Sequence, residues 1–83
     1  MKKLNLKKNG NFSIVSHAYV LYGRKGGDKC YIHLETPTCY MVEGVNWKDV
    51  LLLVRGKLSW KEFISIIEYQ YRVQEEFEEY YSL

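Results

Sequence analysis

Asn46-Trp47-Lys48-Asp49-Val50-Leu51-Leu52-Leu53-Val54-Arg55-Gly56-Lys57-Leu58-Ser59-Trp60-Lys61-Glu62-Phe63 is where the chain changes its period. Asn46 suits a helix N-cap, because its side-chain oxygen can accept from an amide that has no partner within the helix, and Asp49 reinforces it three residues on. Trp47, Val50, Leu51 and Val54 fall at i, i+3, i+4 and i+7, one apolar stripe. Arg55 complements the negative end of the helix dipole, and Gly56 is a natural residue just past the last turn. Ser59 and Glu62 then form a capping box, with Leu58 placed to staple against Phe63. The spacing predicts a short helix over 46–55 and a long one over 59–82.

The second helix presents Phe63, Ile66, Ile67, Gln70, Val73, Phe77 and Tyr80 or Tyr81 along one face, and no glycine or proline interrupts it. About 22 residues at 1.5 Å each make roughly 33 Å. A strand of five or six residues spans only about 17–20 Å. The segment from Val73 to Leu83 is therefore expected to outrun any sheet that the first half of the chain can build.

Upstream of Gly44 the period is two. Lys3-Leu4-Asn5-Leu6-Lys7 alternates polar and apolar, as a strand with one solvated face does. Asn9-Gly10 is a hairpin signal, since both residues tolerate positive φ. Phe12, Ile14, Ser16, Ala18, Val20 and Tyr22 share parity along the next run, in which Ser16-His17 marks a bend or bulge. Gly23 to Asp28 reads as a turn, Cys30 to Glu35 as a strand broken at Thr36-Pro37-Thr38, and Cys39 to Glu43 as a strand ended by Gly44. The expectation is a single α+β domain over 1–83. A β-meander of three to four antiparallel strands occupies 1–44, and both C-terminal helices pack on one face of it.

Composition narrows the class. Among 83 residues, 47% are hydrophobic and 16% aromatic, enough for a core and too many for a disordered chain. The start alternates instead of forming an apolar run, so no secretory leader is expected, and Val50 to Val54 is too short to span a bilayer. Two cysteines are not a disulfide framework. The reading is a cytoplasmic protein from a reducing compartment. One alanine and one proline beside many Lys, Tyr, Ile and Asn are the bias of an AT-rich genome, such as a low-GC bacterium or its phages.

Charge is unevenly laid out. Residues 1–34 carry seven cations against Asp28 alone, a net +6, whereas residues 62–83 carry Arg72 against six glutamates, a net −5. Cys30-x-x-His33, Cys39 and His17 supply a zinc ligand set on paper. Cys30 and His33, three apart on a strand, point to opposite faces, and Cys39 falls opposite His33 or Leu34, so neither a metal nor a disulfide is expected. Gly23-x-x-Gly26-Gly27 lacks the Lys-Ser/Thr ending of a phosphate loop and precedes a strand, not a helix. Ser13, Ser16, His17, Asp28 and His33 sit in no nucleophile signature. The chain is expected to be no enzyme and to use no cofactor.

Two surfaces remain. The acidic helix end, with Glu75, Glu76, Phe77, Glu79, Tyr80 and Tyr81, can occupy a basic groove in place of phosphates while its rings anchor the contact. Its like charges oppose the helix dipole, a cost without structural return. The expected function is a small protein-binding or inhibitory module of phage or mobile-element type, acting on a host nucleic-acid-handling or defence (anti-CRISPR-like) protein. A homodimer through the same segment is compatible. The alternative is a nucleic-acid-binding accessory protein using Lys7, Lys8, Arg24, Lys25 and Lys29, with tyrosines to stack bases. Lysines on an edge strand also discourage strand addition, which is their commoner use.

Overall fold

In a computed structural model, described for residues 4–16 and 18–81 and for the side chains of all of these but 79–81, the chain forms five strands and then two helices. The strands are β1 (Leu4–Leu6), β2 (Asn11–Val15), β3 (Val20–Gly26), β4 (Lys29–Glu35) and β5 (Cys39–Asn46). They pair antiparallel in chain order. The helices are α1 (Trp47–Val54) and α2 (Trp60–Tyr81). His17, the lysines at 2 and 3 and the residues at 82 and 83 lie outside the described residues.

The sheet has five strands, not three to four, because the run from Phe12 to Tyr22 is two strands. The chain reverses between Val15 and Val20, where the Ser16 amide donates to the Tyr19 carbonyl at 2.9 Å. Neither glycine nor proline marks that reversal, and it inverts parity. Phe12 and Ile14 are buried on β2, whereas on β3 it is Leu21 that is buried and Tyr22 that is exposed. Conversely, most of the glycine-rich stretch is strand, and β3 and β4 turn only through Gly27-Asp28.

Register divides the sheet into two faces, since directly paired residues share one. Leu4, Ile14, Leu21, Leu34 and Tyr40 form one transverse row, and Leu6, Phe12, Gly23, Ile32 and Val42 the next. Their buried members join Cys30, Val45, Val50, Leu53, Phe63 and Ile67 in one core cluster. Leu53 is fully buried although the apolar stripe read from sequence omitted it.

Gly44 does not end the last strand. Cys30 pairs with Val45 and Ile32 with Val42, so β5 carries one residue more than β4 over this interval. Gly44 takes φ +75°, a left-handed conformation that side chains disfavour and that a bulge of this kind requires. The extra residue restores inward parity. Val42 and Val45, three apart, are both fully buried.

The helix signals act locally. Asn46 Oδ1 accepts from the Lys48 amide at 3.0 Å. After α1, the Lys57 amide donates to the Leu52 carbonyl and the Gly56 amide to that of Leu53, a Schellman closure. Ser59 Oγ accepts from the Glu62 amide at 3.1 Å, and the Glu62 carboxylate accepts in return from the Ser59 hydroxyl and amide. α2 is unbroken over 22 residues.

Beyond Ile67 the face that α2 turns to the sheet is Tyr71 and Gln74, not Val73 and Phe77. Tyr71 meets Tyr40 edge-on at 5.3 Å. Gln74 closes a two-bond clip on β5: its Nε2 donates to the Glu43 carbonyl at 2.5 Å, and its Oε1 accepts from the Glu43 amide at 3.3 Å. The side-chain amide thus does for the sheet edge what a sixth strand would do. Gln74→Ala is expected to cost about 1 kcal/mol. In hydrogen exchange, amides beyond residue 73 should lose protection while those near Phe63 and Ile67 keep theirs. Unchanged exchange in the last two turns would show that the clip is not what seats them.

Candidate functional site

The face away from the buried cluster carries three transverse rows. The longest, Asn5, Ser13, Tyr22, His33 and Met41, crosses all five strands. Beside it run Asn11, Arg24 and Tyr31 on one flank and Val15, Val20, Glu35 and Cys39 on the other. Tyr22 is 51% exposed, Tyr31 38% and Met41 55%. Alternation brings them here: each lies one residue from a buried neighbour on its own strand.

Among the described residues, two of the grooves meet at Tyr31 on this side. The first, about 370 Å3, has Lys7, Tyr22, Arg24, Tyr31 and His33 around it, with Phe12 and Gly23 at its base. The second, about 670 Å3, lies between the sheet and the end of α2 and is lined by Tyr31, Met41, Glu43, Val73, Gln74, Phe77 and Glu78. Tyr31 borders both. One groove is rimmed by cations and the other by carboxylates.

The structure sorts the residues singled out from sequence. Lys7 and Arg24 meet at the first groove. Lys25, adjacent to Arg24 in sequence, pairs with Cys30 in the inward register, and its ammonium sits 4.9 Å over the Trp47 ring. Lys8 is exposed in the β1–β2 turn, and Lys29, exposed at the start of β4, lines a further groove of about 300 Å3 together with Arg24 and Lys25. On α2, Phe77 lines the second groove and is 62% exposed. Glu76 is exposed, while Glu75 accepts from the Tyr71 hydroxyl, which raises the Tyr71 pKa above the ordinary tyrosine value. The side chains of Glu79, Tyr80 and Tyr81 lie outside the described residues. Sequence reasoning missed Tyr22, Tyr31, Met41, Glu43 and Glu78 as groove residues. Strict alternation on β4 was the available signal for Tyr31.

Cys39, His33 and Glu35 come together, but not as a relay. Cys39 Sγ lies 3.1 Å and Glu35 Oε1 3.5 Å from the same ring nitrogen, His33 Nε2. A nucleophile–base–orienter chain needs the two imidazole nitrogens to serve different partners. Cys30 is on the buried face and Cys39 is exposed, so the register separates the two thiols. Among the described residues, no group of three or more His, Cys, Asp or Glu side chains is placed to hold a metal ion.

Burial pushes the Cys30 thiol up, only partly offset by the charge of Lys25. Under native conditions at neutral pH, iodoacetamide should therefore modify Cys39 and spare Cys30, and urea should release the second thiol. Equal labelling of both in the folded protein would contradict the burial of Cys30.

Comparison with protein-family models, with curated proteins and with solved structures finds no match to this chain. No helix among the described residues is long and apolar enough to cross a membrane. The functional reading therefore rests on the geometry of the two grooves.

Proposed function

We propose that this protein is a small non-enzymatic binding module that captures a basic protein surface through the groove between β5 and the end of α2. In this reading both helices pack on one face of the sheet, and α2 extends past the sheet edge to build the contact. The observation that carries it is the exposure of Val73 (45%) and Phe77 beside Met41, within a groove rimmed by Glu43 and Glu78. Apolar anchors at the centre and charge at the rim are the usual anatomy of an interface. Glu75 and Glu76 follow Gln74 along α2 and the acidic run continues in the sequence to Glu79, so the partner of matching chemistry is the basic groove of a nucleic-acid-handling protein. Carboxylates there stand in for phosphates, which makes the module inhibitory.

Capture from the native host, followed by purification of the captured protein, tests this. Val73→Asp combined with Glu78→Lys is expected to weaken its binding at least about tenfold, since it spoils both an anchor and the rim charge. Reversing Glu75, Glu76 and Glu79 to Lys should slow association and remove its salt dependence. Arg24→Glu should change little, and the partner's own nucleic acid should compete. Capture that survives Val73→Asp with Glu78→Lys would refute the reading.

A further inference from the structure

The cationic groove calls for a ligand other than a basic protein, and we propose that the open face of the sheet binds single-stranded nucleic acid. Tyr22 and Tyr31 stack bases, and Lys7 and Arg24 hold the phosphates.

Edge protection does not explain this groove. Lysines that guard against strand addition belong on β1, whereas Tyr22, Arg24 and Tyr31 sit on β3 and β4, which are paired on both sides. Interior strands have no free edge to defend. An exposed ring offers a π-face to any base, and an arginine beside it offers a fork to phosphate. Here Arg24 pairs with Tyr31, and Tyr22 pairs with His33, whose ring it meets edge-on at 6.3 Å.

The same register selects single strands over duplex. Tyr22 and Tyr31 are diagonal neighbours, a relation that places residues about 7–8 Å apart. That is roughly twice the 3.4 Å step along one strand of a duplex. A base can stack on either ring only with a free face, which single strands offer and the interior of a duplex does not. Ser13 and Asn11 border the groove on β2 and supply neutral hydrogen-bonding groups beside the rings. The site is bounded in one direction by Glu35, which faces His33 at 3.5 Å, and in another by Glu43 of the acidic groove. It is therefore short, with room for few nucleotides.

Fluorescence anisotropy with labelled oligo(dT) and oligo(U) of about 12 nucleotides, and with a duplex of the same length, reads the proposal directly. Both single strands are expected to bind more tightly than the duplex. Two phosphate contacts predict about a sevenfold loss of affinity between roughly 50 and 200 mM salt. Tyr22→Thr and Tyr31→Thr, which retain strand preference, should each weaken binding at least about fivefold. Arg24→Glu should abolish it. Val73→Asp with Glu78→Lys, which spoils the acidic groove, should leave oligonucleotide affinity unchanged, so this proposal and the preceding one fail separately. Circular dichroism confirms that each variant is folded.

Three results would overturn the proposal. One is no saturable binding at the lower salt. Another is binding that both threonine variants leave intact, which would reduce the groove to bare charge. The third is a dimer by light scattering whose dissociation alone exposes Tyr22 and Tyr31, which would make a second copy of the chain the occupant of this face.

Discussion

Gly23→Ala is expected to lower stability by about 2–4 kcal/mol. A Cβ at position 23 would stand 2.3 Å from Phe12 Cζ and under 3 Å from both Cε atoms. The ring cannot simply swing aside. Phe12 is only 3% exposed, lies edge-on to Trp47 at 5.2 Å, and Trp47 is covered in turn by Lys25. Ejecting the ring forfeits its burial, and keeping it forces β2 and β3 apart. Phe12→Ala alone should cost about 3–5 kcal/mol through the cavity it leaves. The double variant should cost less than the sum by at least about 1 kcal/mol, because the new methyl then enters vacated space. Urea denaturation of the four proteins closes the cycle. Additive losses would mean that Gly23 serves some purpose other than making room for Phe12.

Phe63→Ala should be comparably severe, at about 3–5 kcal/mol. Phe63 is fully buried and meets Trp60 edge-on at 6.3 Å, while Trp60 stacks on Tyr19 at 5.1 Å. A chain of this length has about 4–12 kcal/mol in total. Removing the ring at the base of α2 therefore takes away about a quarter or more of that stability. The expected readout is a urea midpoint lowered by about a quarter or more, with loss of near-ultraviolet dichroism from Trp60. A shift of under about 1 kcal/mol would mean that α2 is seated by its distal contacts, Tyr71 on Tyr40 and Gln74 on Glu43, and not by this ring.

These two positions differ in how far the sequence exposes them. Phe63 is legible: it follows a capping box and begins the apolar stripe of α2. Gly23 is not, because it reads as part of a turn. Only the pairing of Phe12 with Gly23 and of Gly23 with Ile32 reveals a strand glycine that makes room for a ring. The candidate sites divide similarly. The acidic character of the α2 end is visible as a run of glutamates, but its partners Met41 and Tyr31 come from strands more than thirty residues upstream. Arg24 and Lys25 look like one basic unit in the chain, yet alternation gives them different neighbours, the Tyr22–Tyr31 groove for Arg24 and the Trp47 ring for Lys25, and they share only the groove at the β3–β4 end.

What the amino-acid order decided alone is what acts within a few residues: the caps of both helices, the change of period at Asn46, the unbroken length of α2 and the polarity of charge along the chain. Short-range hydrogen bonds and side-chain spacing suffice for these. The tertiary structure decided the reversal at 16–19, the bulge at Gly44, the Gln74 clip and the assembly of Tyr22, Arg24 and Tyr31 on one face. Each depends on pairing between distant segments, and a single unmarked reversal inverts which residues of β3 meet water.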